Sequence, residues 1–187
     1  RRQRQMCIRD RCPVEHLKEV MDLFSLTALE ICEGQQMDME FEQRNDVTAE
    51  EYLEMIRLKT AVLLAASLKI GARLGGASVE DADRLYDFGM HIGVAFQLKD
   101  DLLDVYGNAK VFGKNIGGDI LCNKKTYMLI KALEHANADQ HNQLNSWINA
   151  ETFQPAEKIA AVTELYDRIG VKAVCENKIL EYSNRAM

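Results

Sequence analysis

Apolar residues recur at helical spacing from residue 17 onward. Leu17, Val20, Met21, Phe24, Leu26, Leu29 and Ile31 trace a helix that Pro13 is well placed to start. Residues 34–38 lie near the end of this helix or continue it. Residues 45–48 read as a loop, where Thr48 and Glu51 form a capping box for the next helix. That helix runs to residues 75–76, with a break near Lys59 left open. Ser78 with Asp81 opens a third helix, which stops at residues 107–108. From there to Lys125 the chain is aperiodic and bears glycines and lysines, a loop long enough to be functional. Helices follow at about 125–139, 141–150, 155–169 and 171–184, with Pro155 and Gly170 as punctuation. No strand alternation, internal repeat or low-complexity segment interrupts the pattern, so the expected fold class is all-α.

Residues 1–12 break the pattern. They are rich in arginine, lack an apolar period and precede Pro13. They are expected to be a tail or a non-native scar, leaving residues 13–187 as one domain. With 23 basic and 29 acidic residues, the net charge is −6. No basic stripe with interleaved aromatics accompanies it, which argues against nucleic acid as a partner. The five cysteines are odd in number and scattered, and no signal peptide is evident. Both features suggest a reducing, cytoplasmic setting. The longest apolar run, residues 61–68, falls far short of the roughly 20 residues of a membrane span.

The chemistry concentrates in the third helix. Asp100, Asp101 and Asp104 fall within five positions of an otherwise apolar run. At about 100° per residue, Asp100 and Asp104 share a face and Asp101 points to the side. A solvated acidic face is the bland explanation of such a cluster. Here Phe88, Ile92, Val94, Ala95, Phe96, Leu98, Leu102 and Leu103 leave little room for a polar stripe, so the helix is expected to be largely buried. Buried carboxylates need a partner or a cation. An oxygen-only set with open positions suits Mg²⁺, which keeps waters and takes further ligands from phosphates.

Three other stretches complete the set: Lys59-Thr60 before an apolar run, Gln35 and Asp38 in the first helix, and Gly113-Lys114, Asp119 and Lys124-Lys125 in the loop. Taken singly, each lysine is a surface residue and each glycine a turn former. Together they suggest a magnesium-clamped diphosphate. The ordered strings EGQQMD at 33–38, MIRLKTA at 55–61, FQLKDDLLD at 96–104, and Gly113-Lys114 through Gly118-Asp119 to Lys124-Lys125-Thr126 resemble the trans-prenyltransferases, the polyprenyl (isoprenyl) diphosphate synthases. The likeness is close over residues 14–135 and looser beyond.

The resemblance implies an antiparallel helix bundle of the isoprenoid synthase type around a deep apolar cavity. It implies that Asp100 and Asp104 bind Mg²⁺, with Asp101 assisting, and that Lys59, Lys114 and Lys124 hold the diphosphate. Thr60, Gln97 and the Lys59 carbonyl would face the developing allylic cation, and Gln35 and Asp38 would line the pocket. The implied reaction is head-to-tail condensation of an allylic prenyl diphosphate with isopentenyl diphosphate, in a homodimer. A non-catalytic, prenyl-diphosphate-binding or regulatory subunit of the same family is the alternative. A terpene cyclase fits less well, because its second metal motif usually carries Asn and Ser or Thr.

One departure stands out. The family's first aspartate-rich motif, with its following arginine pair, has no counterpart in the 187 residues. The chain is therefore expected to match the C-terminal part of such a synthase, to lack the N-terminal helices, and not to turn over alone.

Overall fold

The computed structural model describes residues 12–108 and 116–187. Nearly all of the expected tail, and Gly113 and Lys114 of the loop, lie outside the described residues. The elements are α1 (Val14–Phe41), α2 (Ala49–Ile56), a π-helical turn (Arg57–Ala61), α3 (Val62–Leu74), α4 (Val79–Tyr106), α5 (Gly118–Leu121), α6 (Tyr127–His135), α7 (Ala138–Ile148), α8 (Pro155–Ile169) and α9 (Val171–Ala186). No strand occurs among the described residues, and none of the helices is long and apolar enough to cross a membrane.

The caps read from the sequence form as expected. Thr48 Oγ1 accepts from the Glu51 amide at 3.2 Å, and Glu51 Oε2 accepts from the Thr48 amide at 2.8 Å. Ser78 Oγ accepts from the Asp81 amide at 3.0 Å. Pro155 opens α8, and Gly170 closes it at φ +84°. Thr48→Ala is expected to cost about 1 kcal/mol, read as a lower urea midpoint with an unchanged slope.

α1 continues through residues 34–38 to Phe41, one of the two courses the sequence allowed. Two boundaries differ from the expectation. The stretch 125–150 divides earlier than expected, because Asn137 and Gln140 make their own capping box and start α7 at Ala138. The loop after α4 returns as the short helix α5, entered through Gly117 at φ +84°. Two of the apolar residues on which the expected burial of α4 rested are exposed: Phe96 is 66% exposed and Phe88 40%. Helical period alone does not say which side of an apolar helix meets a neighbour.

Contacts divide the molecule into two compact units, one comprising the described residues through Asp38 with 54–94 and 182–187, the other residues 39–53 and 95–181. In the first unit, close approach of backbones sets the packing. A Cβ on Gly93 would sit 2.7 Å from Ala61 Cα, and one on Gly89 2.7 Å from Ala65 Cα. Glycine facing alanine one turn apart lets α4 lie directly on α3, and Ala61, Val62 and Ala65 are fully buried. Gly34 does the same for α1: a Cβ there would overlap the backbone of Leu58 and Lys59. In the second unit, α8 packs against α5, α6 and α7, over a core that includes Met128, Leu144, Val162, Leu165 and Tyr166.

Candidate functional site

In the first unit the break suspected near Lys59 is a π-helical turn, closed by the Val62 amide donating to the Arg57 carbonyl. One extra residue in the turn changes which side chains face the neighbouring helix. Gly34 brings α1 against this turn, and Asp38, one turn further along the same face, accepts from Lys59 Nζ at 2.6 Å. Lys59 and Thr60 are half-buried, whereas Gln35 is exposed. Lys59 and Asp38 therefore come together as an ion pair.

The second unit gathers the acidic residues. Asp101 is 3% exposed and accepts from the Tyr52 hydroxyl and, at 3.4 Å, from Gln97 Nε2. Burial pushes its carboxyl up to about 7; the Tyr52 hydrogen bond is the largest effect opposing that shift, followed by the charge of Lys124. Asp104 accepts from the Asp119 amide at 3.0 Å through Oδ2, and its carbonyl accepts from the Gly117 amide at 2.7 Å. This side-chain and main-chain pair fixes the start of α5 against the end of α4. Asp119 pairs with Lys124 at 3.5 Å. Burial raises the Asp119 carboxyl, Lys124 lowers it, and Asp104 and Asp100 raise it again by repulsion. Asp100, Asp104 and Asp119 thus form one patch of negative potential with Lys124 at its edge.

The two adjacent lysines part company. Lys125 lines a separate cleft of about 510 Å³ with Val47, Leu129 and His141. Lys124 is the one beside the carboxylates, a distinction the pair of identical letters does not carry. Tyr52 was not legible either: a lone aromatic in a short helix gives no sign of an acid 49 residues away. Tyr52→Phe is expected to destabilise the fold by about 1–3 kcal/mol, the cost of a buried acceptor losing its donor. It should also raise the Asp101 carboxyl further, since the lost bond favours the charged form. Urea unfolding and carboxyl NMR titration read the two effects.

The donor set fits a hard divalent cation. It is all oxygen, anionic and mutually repelling, and Lys124 is the cation paired with it. Among the described residues no three His, Cys, Asp or Glu converge to hold a metal by themselves. Asp100 and Asp104, the half-buried pair on one face, are the residues that would hold it. Asp101 is turned to Tyr52 and Gln97 instead.

An all-helical chain with carboxylates and a lysine gathered at the end of one helix defines a class of site suited to a metal-bound diphosphate. Its family is shown by comparison. Residues 5–166 match the family model described as Polyprenyl synthetase, and the chain belongs to that family. It is 40% identical over 172 residues to a short chain isoprenyl diphosphate synthase of Methanothermobacter thermautotrophicus, covering 92% of this chain and 52% of that protein. A crystal structure of a geranylgeranyl pyrophosphate synthase superposes with a TM-score of 0.91 at 37% identity, covering 97% of this chain and 56% of the other. A geranylgeranyl pyrophosphate synthase from Corynebacterium glutamicum, complexed with isoprenyl diphosphate and magnesium, superposes with a TM-score of 0.84 at 30% identity, over 93% of this chain and 49% of that one. These matches establish the all-α isoprenoid synthase fold. The chain spans about half the length, or less, of the curated relatives it matches.

Proposed function

We propose that these residues are the part of a prenyl diphosphate synthase that grips a magnesium-bound diphosphate, and that the protein carrying them condenses an allylic prenyl diphosphate with isopentenyl diphosphate. The observation that carries this is the patch of Asp100, Asp104 and Asp119 with Lys124 beside it. Asp100 and Asp104 would hold Mg²⁺, which when bound would neutralise charge on the leaving diphosphate. Lys124 binds phosphate oxygens as a compact, mobile charge, and Lys59 is given the same role by the family resemblance alone. Lys114 shares this role by the family resemblance alone. Lys124 and Lys59 already have carboxylate partners, Asp119 and Asp38 respectively. A diphosphate therefore competes for a cation that is held in place, not for a loose one.

Gln97, hydrogen-bonded to Asp101, would face developing positive charge, and Thr60 and the Lys59 carbonyl are given the same role by the family resemblance alone. Asp101 acts through Tyr52 and Gln97 as a support. Condensation transfers the allylic carbon to the terminal alkene carbon of isopentenyl diphosphate. The allylic C–O bond breaks, diphosphate leaves with its electron pair, and a proton is then lost to restore the double bond. Homodimerisation and a cytoplasmic setting are further parts of the reading that the family suggests.

The test is a product assay. Protein carrying these residues over the full span of the relatives is incubated with Mg²⁺, isopentenyl diphosphate and farnesyl diphosphate. An allylic diphosphate one five-carbon unit longer is the expected product. Pyrophosphate release without elongation would count against the reading.

A further inference from the structure

Lys158, on α8, is 1% exposed and is among the largest fully buried side chains of the described residues. Its ammonium donates to the side-chain oxygen of Asn123 at 2.7 Å and lies 4.2 Å from the centroid of the Phe153 ring. An amide and an aromatic face are weak compensation for a buried charge, and burial lowers its pKa. Asn123 is the one non-glycine residue at positive φ, +52°, among the described residues. The same side chain donates through Nδ2 to the Ile148 carbonyl at 2.9 Å. Asn123 is thereby gripped from both ends in a conformation most side chains avoid.

The residue held this way precedes Lys124. The Lys124 amide donates to the Asp119 carbonyl at 3.0 Å, and the Lys124 carbonyl accepts from the Thr126 amide at 2.8 Å. A turn closed by those two bonds delivers the Lys124 side chain to Asp119. Asp119, Asn123, Lys124 and Lys158 also line one small gap of about 10 Å³, too small to give the Lys158 ammonium a hydration shell.

We infer that Lys158 is a positioning residue for the diphosphate site: by holding Asn123 in its left-handed turn it fixes Lys124 beside the carboxylates. This rests on the proposed diphosphate-binding reading. Lys158 touches no substrate; it acts through a backbone conformation. Glycine adopts that conformation without a side-chain grip, so Asn123→Gly should remove the need for Lys158.

The test uses the 187-residue chain, inorganic pyrophosphate and Mg²⁺, followed by calorimetry, with thermal melting and the backbone amide spectrum recorded for each variant. Lys158→Met keeps the buried volume and removes the donor. It should weaken pyrophosphate binding about tenfold and shift the amides of residues 123–126, without lowering the melting temperature, because the buried charge goes with it. Asn123→Gly should bind as the parent does, and Asn123→Gly with Lys158→Met should bind as Asn123→Gly alone. A Lys158→Met variant that binds pyrophosphate like the parent overturns the inference, as does an equal loss in both backgrounds. Should Lys158→Met fail to fold, Lys158→Leu, which also removes the donor from the buried site, is read for the same outcomes in both backgrounds. A parent chain that binds no pyrophosphate overturns the diphosphate reading itself, and the inference with it.

Discussion

Asp104→Ala and Asp100→Ala are each expected to weaken Mg²⁺-dependent diphosphate binding by about 100-fold or more, since even groups that only support metal ligands are worth about 10–100-fold. Asp101→Ala should cost less. The ranking follows from placement. Asp100 and Asp104 share a helix face, whereas Asp101 is buried against Tyr52 and Gln97. Asp104 also accepts from the Asp119 amide, so alanine there would loosen the start of α5 as well. Asp104→Asn separates the two effects. It retains an oxygen for that amide but loses the charge, and it should still lose most of the binding. Calorimetric titration of pyrophosphate at fixed Mg²⁺ gives the order directly. A variant series in which Asp101→Ala is the most damaged would reverse the assignment.

Gly93→Ala should be the most damaging small change to the fold. The added Cβ would lie 2.7 Å from both Cα and Cβ of Ala61, which is itself fully buried. Overpacking of this kind costs about 1–3 kcal/mol where side chains can yield, and more where backbone is struck. Alanine regains about 1 kcal/mol of helix propensity. The clash wins, for an expected net loss of about 2 kcal/mol, or a melting temperature lower by about 5 °C for a chain of this size. Gly34→Ala should behave similarly, because its Cβ meets the Leu58–Lys59 backbone. There the displaced group is the turn that carries Lys59. Gly71, inside α3, supplies the control: a Cβ there meets nothing within 4 Å. Gly71→Ala should therefore stabilise the protein by up to about 1 kcal/mol. Thermal melting of the three variants distinguishes steric from propensity effects, and a stable Gly93→Ala would contradict the close approach of α4 to Ala61.

The helix ends were legible because their signals are local. Thr48 with Glu51, Ser78, Pro155 and Gly170 each act within a few residues. The four residues of α5 were not, since a single turn is too short to show a period and its entry depends on the left-handed Gly117. Asp100, Asp104, Lys59 and Lys124 were legible as an ordered set of charges. Their supports were not. Tyr52 and Lys158 reach partners 49 and 35 residues away, and nothing in their own neighbourhoods marks them. Lys158 in particular reads as a solvated residue of an amphipathic helix until α8 is packed onto α5, α6 and α7. The exposed Phe96 is the opposite case: its apolar neighbours make it look like core, and only the fold shows that it is not.

The most direct measurement is titration of the chain with pyrophosphate with Mg²⁺ present and then with Mg²⁺ removed by chelation. Saturable binding that is lost on chelation, and again lost in Asp104→Asn, is what the account predicts. Equal affinity with and without Mg²⁺ would contradict it, because lysines alone would then be holding the anion and the carboxylates of α4 would have no part in it.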